Sequence, residues 1–406
     1  MIPLAEAQAE VIAACQPKPP RPVDVGDALG LVLAEGVTAA TDVPPFANTA
    51  MDGYAVRAAD VEAASTGRPT RLTVIGTLAA GRAPDTPVGP GEALRIMTGA
   101  PFPEGADAVA IVENTRSEGD AVWVSAPAPA GEHVRRAGED VAAGQEVFAA
   151  GTVLGPGHLG VLCSVGREWV SAVPAPVVGV LSTGDELVEG AGALLPGQIR
   201  DSNRRTLMAL LRRDGFSVVD LGIAPDDEAE IERRLKEGAA GCDAVLTSGG
   251  VSMGDFDLVK VVLDRIGAMH WMQVAIRPAK PFAFGLVGST PVFGLPGNPV
   301  SSMVSYEVLA RPGLRRMAGR GDADLHRVPV PAIVDDSRWR GGADGRTTYM
   351  RVQAGVEADG RYHVRSAGGQ ASNQLYAMAV ADGLAVVAPG AEVVAGDTVA
   401  LVLLGP

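Results

Sequence analysis

Between about residues 173 and 320 the chain alternates short apolar runs with amphipathic segments, and nothing else in it constrains the fold as strongly. VVGVLSTG, SVVDLGI, DAVLTSGG, PFAFGLV and TPVFGLP are apolar runs of strand length. Between or after them lie SNRRTLMALLRRDG, DDEAEIERRLKEGA, DFDLVKVVLDRIG and PVSSMVSYEVLARPGLRRM, whose apolar residues recur at helical spacing. Asp201, Ser202 or Asn203 can cap the first of these helices, and Gly215 can stop it. Strands joined through helices run parallel, and a parallel sheet needs cover on both faces. The segment 173–320 is therefore predicted as a doubly wound α/β domain.

The flanks read differently. A helix is expected over about 4–15, with Leu4, Ala7, Val11 and Ala14 on one face and a proline cluster from Pro17 to Pro22 ending it. Residues 45–135 carry short runs such as RLTVIG, DAVAIVEN and AVWVS between Gly/Pro turns, and read as a β domain. Residues 136–172 read as a turn-rich segment leading into a short helix. After the polar linker GRGDADLH, residues 325–406 return to short strands, the pattern of a small β-barrel.

Composition narrows the function classes. The 406 residues have 47% hydrophobic content, enough for more than one core, but only 4% aromatics, so the cores must be aliphatic. A net charge of −14 argues against broad nucleic-acid binding, which needs a basic face, yet leaves room for a small anion held by a few local cations. Three scattered cysteines, Cys15, Cys163 and Cys242, fit a reducing compartment without structural zinc. The first residues lack a basic n-region, and no apolar run reaches the roughly 18–20 residues of a membrane span, so a cytoplasmic protein is expected.

In open α/β sheets, ligands bind beyond the carboxyl ends of the strands. Three loops fall there. Ser182-Thr183-Gly184-Asp185-Glu186 offers a tight turn followed by acids, suited to a metal or simply to a helix start. Ser248-Gly249-Gly250-Val251-Ser252-Met253-Gly254-Asp255 has small residues whose backbone N–H groups could meet an oxyanion, though its glycine spacing fits neither common nucleotide motif. Leu295-Pro296-Gly297-Asn298-Pro299-Val300-Ser301 is a stiff turn into a helix. Arg277-Pro278-Ala279-Lys280-Pro281 adds two cations. The five histidines form no metal-ligand pattern, and no G-x-S-x-G elbow is present.

Each segment alone has an ordinary structural reading; their order does not. NTAMDGYAVR, MTGAPFPEGADAV, RRAGED, VLSTGDELV, IRDSNRRTL, TSGGVSMGDFD, RPAKPFAFG and LPGNPVSS together resemble the MoeA family of molybdopterin molybdenumtransferases, and the related C-terminal domain of gephyrin, over about residues 4–400. The resemblance implies insertion of molybdenum from molybdate into adenylylated molybdopterin, with release of AMP and help from Mg²⁺. It implies a homodimer in which 1–44 and 136–172 form the linker and dimerisation domain, and transient encounters with a molybdopterin adenylyltransferase and with molybdoenzyme acceptors. It implies catalytic roles for Asp52, Thr98, Glu186 and Asp255, with Asp52, Glu186 and Asp255 holding the metal. Asp52 and Thr98 of one subunit would face Glu186, Asp226 or Asp227, Asp255 and Lys280 of the other. Substrate contacts would come from Thr183, Gly184, Ser248, Gly249, Gly250, Ser252, Arg277, Lys280, Pro296, Asn298, Pro299, Arg351 and Ser372. Where relatives often have Pro-Gly-Lys-Pro, this chain has Pro278-Ala279-Lys280-Pro281, so a negative φ or a slightly altered backbone is expected at Ala279. Molybdopterin adenylylation and a non-catalytic dimeric scaffold are the competing readings.

Overall fold

The computed structural model describes residues 1–250, 258–336 and 338–405. Contacts divide the chain into two compact units, one of residues 1–21, 30–32 and 172–406, the other of residues 22–29 and 33–171.

The first unit contains the predicted α/β domain. Its strands are β1 (Val177–Thr183), β2 (Ser217–Ala224), β3 (Ala244–Ser248), β4 (Ala268–Gln273), β5 (Pro281–Val287) and β6 (Thr290–Leu295), in the spatial order β2-β1-β3-β6-β5-β4. β2, β1, β3 and β6 run parallel, but β5 pairs antiparallel with β6 and β4 antiparallel with β5, so β5 alone opposes the other five. The all-parallel expectation is thus corrected at one edge. Only Gly288 and Ser289 separate β5 from β6, and a connection that short can only reverse the chain.

Side chains alternate across this sheet as the two-residue period of a strand requires. Val178, Val180, Ala244, Leu246, Phe293 and Leu295 join one core with α1 (Leu4–Ala14), α2 (Asn203–Arg213), α5 (Pro299–Ser305) and α6 (Arg311–Met317). Leu181, Val245 and Val292 join a second core with α3 (Glu228–Gly241) and α4 (Leu258–Ile266). Helices therefore cover both faces. A π-helical turn, Tyr306–Ala310, links α5 to α6 without breaking the helix.

The predicted barrel follows. Strands β7 (Val330–Val334), β8 (Thr347–Val356), β9 (Tyr362–Ser366), β10 (Gly383–Val387) and β11 (Thr398–Leu403) pair in the order β8-β9-β7-β11-β10, and β10 closes onto β8. Closure leaves its aliphatic interior, with Val334, Val352, Val364, Ala385 and Leu401, without a free sheet edge. Ile276–Arg277 pairs in parallel with Thr347 and Thr348 of β8, tying the barrel to the α/β sheet.

The second unit has a six-stranded sheet built from residues 53–56, 70–78, 92–96, 108–111, 115–118 and 121–124. One four-residue helix, Ala58–Val61, interrupts the expected run of strands. No described helix is long and apolar enough to cross a membrane.

Gly313 in α6 leaves room for α1 to pack against it. A methyl group there would lie 2.8 Å from Val11 Cγ1 and 2.9 Å from Cys15 Sγ. Gly313→Ala is expected to cost about 1–3 kcal/mol by overpacking, read as a lower unfolding midpoint. An unchanged midpoint would show that α1 does not dock this way.

Candidate active site

The site in the first unit grows from the carboxyl ends of β1, β3 and β6. A pocket of about 190 Å³ is lined there by Ser182, Thr183, Glu186, Leu187, Ile199, Arg200, Asp201, Ser202, Asn203, Ser248, Gly249, Gly297 and Pro299. Two glycines are needed for loops to meet at this distance. Gly184 adopts φ 145°, and a side chain on it would collide with the Glu186 carboxylate. Gly249 has φ 93°, with Thr183 O only 3.2 Å from where a Cβ would sit.

Beneath the pocket lies a buried charge cluster. The Arg204 guanidinium, 1% exposed, donates from Nε to Asp201 Oδ2 at 3.0 Å and also pairs with Asp220 and Glu189. Asp201 Oδ1 accepts from the Arg204 backbone N–H at 3.1 Å, so Asp201, among the three candidates, caps the first turn of α2. It also accepts from Ser182 Oγ at 3.1 Å, which joins the helix start to the end of β1. Asn203 Nδ2 donates to Ser248 Oγ at 2.8 Å and to Gly297 O at 2.7 Å, bridging two further loops.

Of the residues expected from sequence, Thr183, Glu186, Ser248, Gly249 and Pro299 line this pocket. Glu186 is exposed and has no ion-pair partner among the described residues. Gly249 corrects an expectation: its N–H already donates to Leu295 O at 3.1 Å, as a strand neighbour should, so it does not meet an anion. Gly184 sits in the β1 turn, and Gly250 follows Gly249 in the described chain. Pro296 is buried, while Asn298 is exposed at the start of α5. Ser252 and Asp255 lie outside the described residues.

Asp226 and Asp227 hold structure. Asp226 N donates to Asp185 Oδ1 at 3.0 Å, and Asp185 N donates to Asp226 Oδ2 at 3.4 Å, which ties the β1 turn to the loop before α3. Asp227 caps α3 by accepting from the Glu230 N–H at 2.9 Å.

The cationic segment departs from expectation at Ala279, which has φ 79° instead of a negative value. An L-residue in this region costs about 1–2 kcal/mol. Its methyl group, 3% exposed in the core, recovers roughly 0.8 kcal/mol by burial. The chain thus keeps the backbone that glycine would favour. Arg277 is exposed and Lys280 half-buried, and neither has a salt-bridge partner among the described residues.

Arg351, expected to contact substrate, has its side chain buried in β8. It donates to the carbonyls of Gly369 at 2.8 Å and Ala371 at 3.2 Å, and burial without a carboxylate brings its pKa down to about 10. Ser372, in the same segment, accepts through its carbonyl from the Val300 N–H at 3.1 Å. Arg351 therefore holds the 369–371 segment, and Ser372 joins that segment to the first turn of α5.

Asp52 and Thr98 come together in the second unit. Asp52 Oδ1 accepts from the Thr98 N–H at 2.7 Å and from Thr98 Oγ1 at 2.9 Å. The backbone bond first, and then the hydroxyl, hold the Asp52 pKa below its ordinary value. Because the folded value is depressed, the stabilisation is present above the ordinary carboxyl range and is lost as pH falls through the folded value. Asp52 is exposed, so the pair presents a charged oxygen to solvent. Ser182 and Gly297 lie in loops that the sequence places at the site, whereas Leu187, Ile199, Arg200, Asp201, Ser202 and Asn203 carry no site role in the sequence reading. The signal was available in Asp201-Ser202-Asn203, three capping residues where a helix needs one.

Comparison with known proteins covers the chain from end to end. Residues 2–166 match the MoeA N-terminal region (domain I and II), residues 179–316 a probable molybdopterin binding domain, and residues 341–404 the MoeA C-terminal region (domain IV). Molybdopterin molybdenumtransferase 2 of Mycobacterium tuberculosis is 40% identical over 384 residues, covering 93% of this chain and 92% of the relative. Molybdopterin molybdenumtransferase of Haemophilus influenzae is 38% identical over 353 residues, covering 86% and 85%. A solved molybdopterin biosynthesis MoeA protein from Pyrococcus horikoshii superposes with a TM-score of 0.79 at 30% identity, covering 100% of both chains.

The Asp52–Thr98 contact can be tested directly. Thr98→Val removes the hydroxyl donor and keeps the backbone one, so the Asp52 carboxyl should titrate at higher pH, measured by carboxyl-carbon NMR. An unmoved midpoint would show that the hydroxyl bond is not formed in solution.

Proposed function

The chain belongs to the MoeA family of molybdopterin molybdenumtransferases, and from that premise we propose that it inserts molybdenum from molybdate into adenylylated molybdopterin and releases AMP. It is a transferase of molybdenum cofactor biosynthesis. The observation that carries the detailed reaction is the match of all three regions in order, N-terminal, central and C-terminal. An adenylyltransferase would need only the central domain, and no feature of the chain favours a non-catalytic scaffold.

The chemistry asks for two kinds of environment. Molybdate and the phosphates are anions, and Arg277 and Lys280 are cations without salt-bridge partners among the described residues. A divalent cation needs carboxylates, and magnesium commonly takes one or two of them beside phosphate oxygens and water. No group of three or more metal-ligating side chains occurs among the described residues. The single free carboxylate of Glu186 fits a magnesium ion that substrate phosphate completes. Glu186, Asp52 and Asp255 are the proposed holders, and the ion would offset phosphate charge as the phosphoanhydride opens. Ser182, Asp201 and Arg204 keep the Glu186 turn in place.

Purified protein with adenylylated molybdopterin, Mg²⁺ and molybdate is expected to release AMP only when molybdate is present, measured by chromatography. Release that ignores molybdate would overturn the reading. Glu186→Gln should raise the Mg²⁺ concentration for half-maximal rate by about tenfold or more.

The proposal includes a cytoplasmic homodimer in which Asp52 and Thr98 of one protomer serve the Glu186 site of its partner. The support is the family resemblance. At a Mg²⁺ concentration that just saturates wild type and leaves each variant alone nearly inactive, an equal mixture of re-associated Asp52→Asn and Glu186→Gln proteins should then regain about a quarter of wild-type activity. Half the dimers are mixed, and each mixed dimer has one intact site. No recovery would place both residues in service of one chain.

A further inference from the structure

At the pocket at the ends of β1, β3 and β6, several hydrogen-bond donors are already committed. The Gly249 N–H goes to Leu295 O, Ser182 Oγ donates to Asp201, and Arg200 is turned onto the carbonyls of Gly190 at 3.0 Å and Gly192 at 2.7 Å. Both bonds of the Asn203 amide nitrogen are used as well, on Ser248 Oγ and Gly297 O. The orientation of this amide is chemically determined, because Gly297 O is a carbonyl and must face N–H. Asn203 Oδ1 is therefore left in the pocket lining with no partner among the described residues. The Glu186 carboxylate is the other committed acceptor, and the hydroxyls of Thr183, Ser202 and Ser248 can turn either way.

The free amide oxygen of Asn203 suits a ligand edge that donates. The pocket walls add a shape preference, since Leu187, Pro299 and the 53% exposed Ile199 are apolar surfaces for the face of a flat ring.

We propose that Asn203 is a specificity-determining residue: its Nδ2 sets the pocket width by clamping Ser248 to Gly297, and its Oδ1 accepts from the amino group of a planar heterocycle. The inference rests on the molybdenumtransferase reading for the identity of that ring. Adenylylated molybdopterin carries two amino-bearing rings, the adenine and the pterin, and the same acceptor would serve either.

The test is equilibrium binding to the full chain by calorimetry with two matched pairs, AMP against IMP and pterin against lumazine. In each pair an amino group is replaced by an oxo group. Wild type is expected to prefer the amino member of one pair by about tenfold, the size of one hydrogen bond to a neutral acceptor, and the preferred pair identifies the ring. Asn203→Ala should reduce that preference below twofold while ribose 5-phosphate binds as before. A merely structural role would weaken both members of a pair equally and leave their ratio unchanged, which would overturn the proposal. So would a wild-type protein with no preference in either pair, a comparison that needs no variant to fold. Failure of the reading beneath it appears elsewhere, as absence of molybdate-dependent AMP release.

Discussion

The Arg204 guanidinium is almost completely withdrawn from water, and three carboxylates converge on it. Moving such charges out of water costs several kcal/mol per ion, and their mutual attraction often only offsets that cost. The cluster is thus better understood as a geometric device than as a source of stability. Asp220 belongs to β2, Glu189 to the loop after β1, and Asp201 to the approach to α2. A buried charge tolerates no missing partner, so these segments must arrive together. Through Ser182 the constraint reaches the end of β1, and through the first turn of α2 it fixes Asn203. The pocket's polar rim follows from one ion that has nowhere else to go.

Much of this architecture was legible in the sequence. The strand–helix alternation predicted the layered domain, and the apolar faces of α2, α3 and α4 pack where their spacing implied. The antiparallel edge was not legible, because a buried apolar run reads the same in either direction. The clue was the two-residue separation between PFAFGLV and TPVFGLP. The site was legible as loops more than as atoms. Sequence places Gly249 after a strand, but only the ladder shows that its N–H is already taken by Leu295. Arg351 looks available in sequence, yet its side chain is buried and one terminal nitrogen donates to two carbonyls of its own unit. Asn203 reads as one more helix cap until Asp201 is seen doing that work, which frees its side chain to span two loops.

Charge tells a related story at larger scale. An acidic chain repels the anions it must bind, so its free cations need positions where other carboxylates do not quench them. Arg205, Arg233 and Arg265 are paired on the surface, whereas Arg277 and Lys280 sit on a turn clamped between β4, β5 and the barrel. The Val274 N–H donates to Lys280 O at 2.7 Å, and the Thr347 N–H to Ala275 O at 3.0 Å, so the backbone of this segment is held at both ends.

Ala279 shows how strongly that clamp acts. In a free loop, alanine would relax out of the left-handed region and recover the energy of the strained backbone. Here its methyl is built into the main core with Phe282 and Ile276, and relaxing φ would pull it out. Backbone strain and side-chain burial are opposed terms of similar size, so the residue stays where the neighbours put it. A glycine at this position would relieve the strain but add freedom to the unfolded chain and remove the methyl contact. The consequence for Lys280 is the same in either case: its backbone direction is set by packing on both sides, and a cation so placed loses little entropy when an anion arrives.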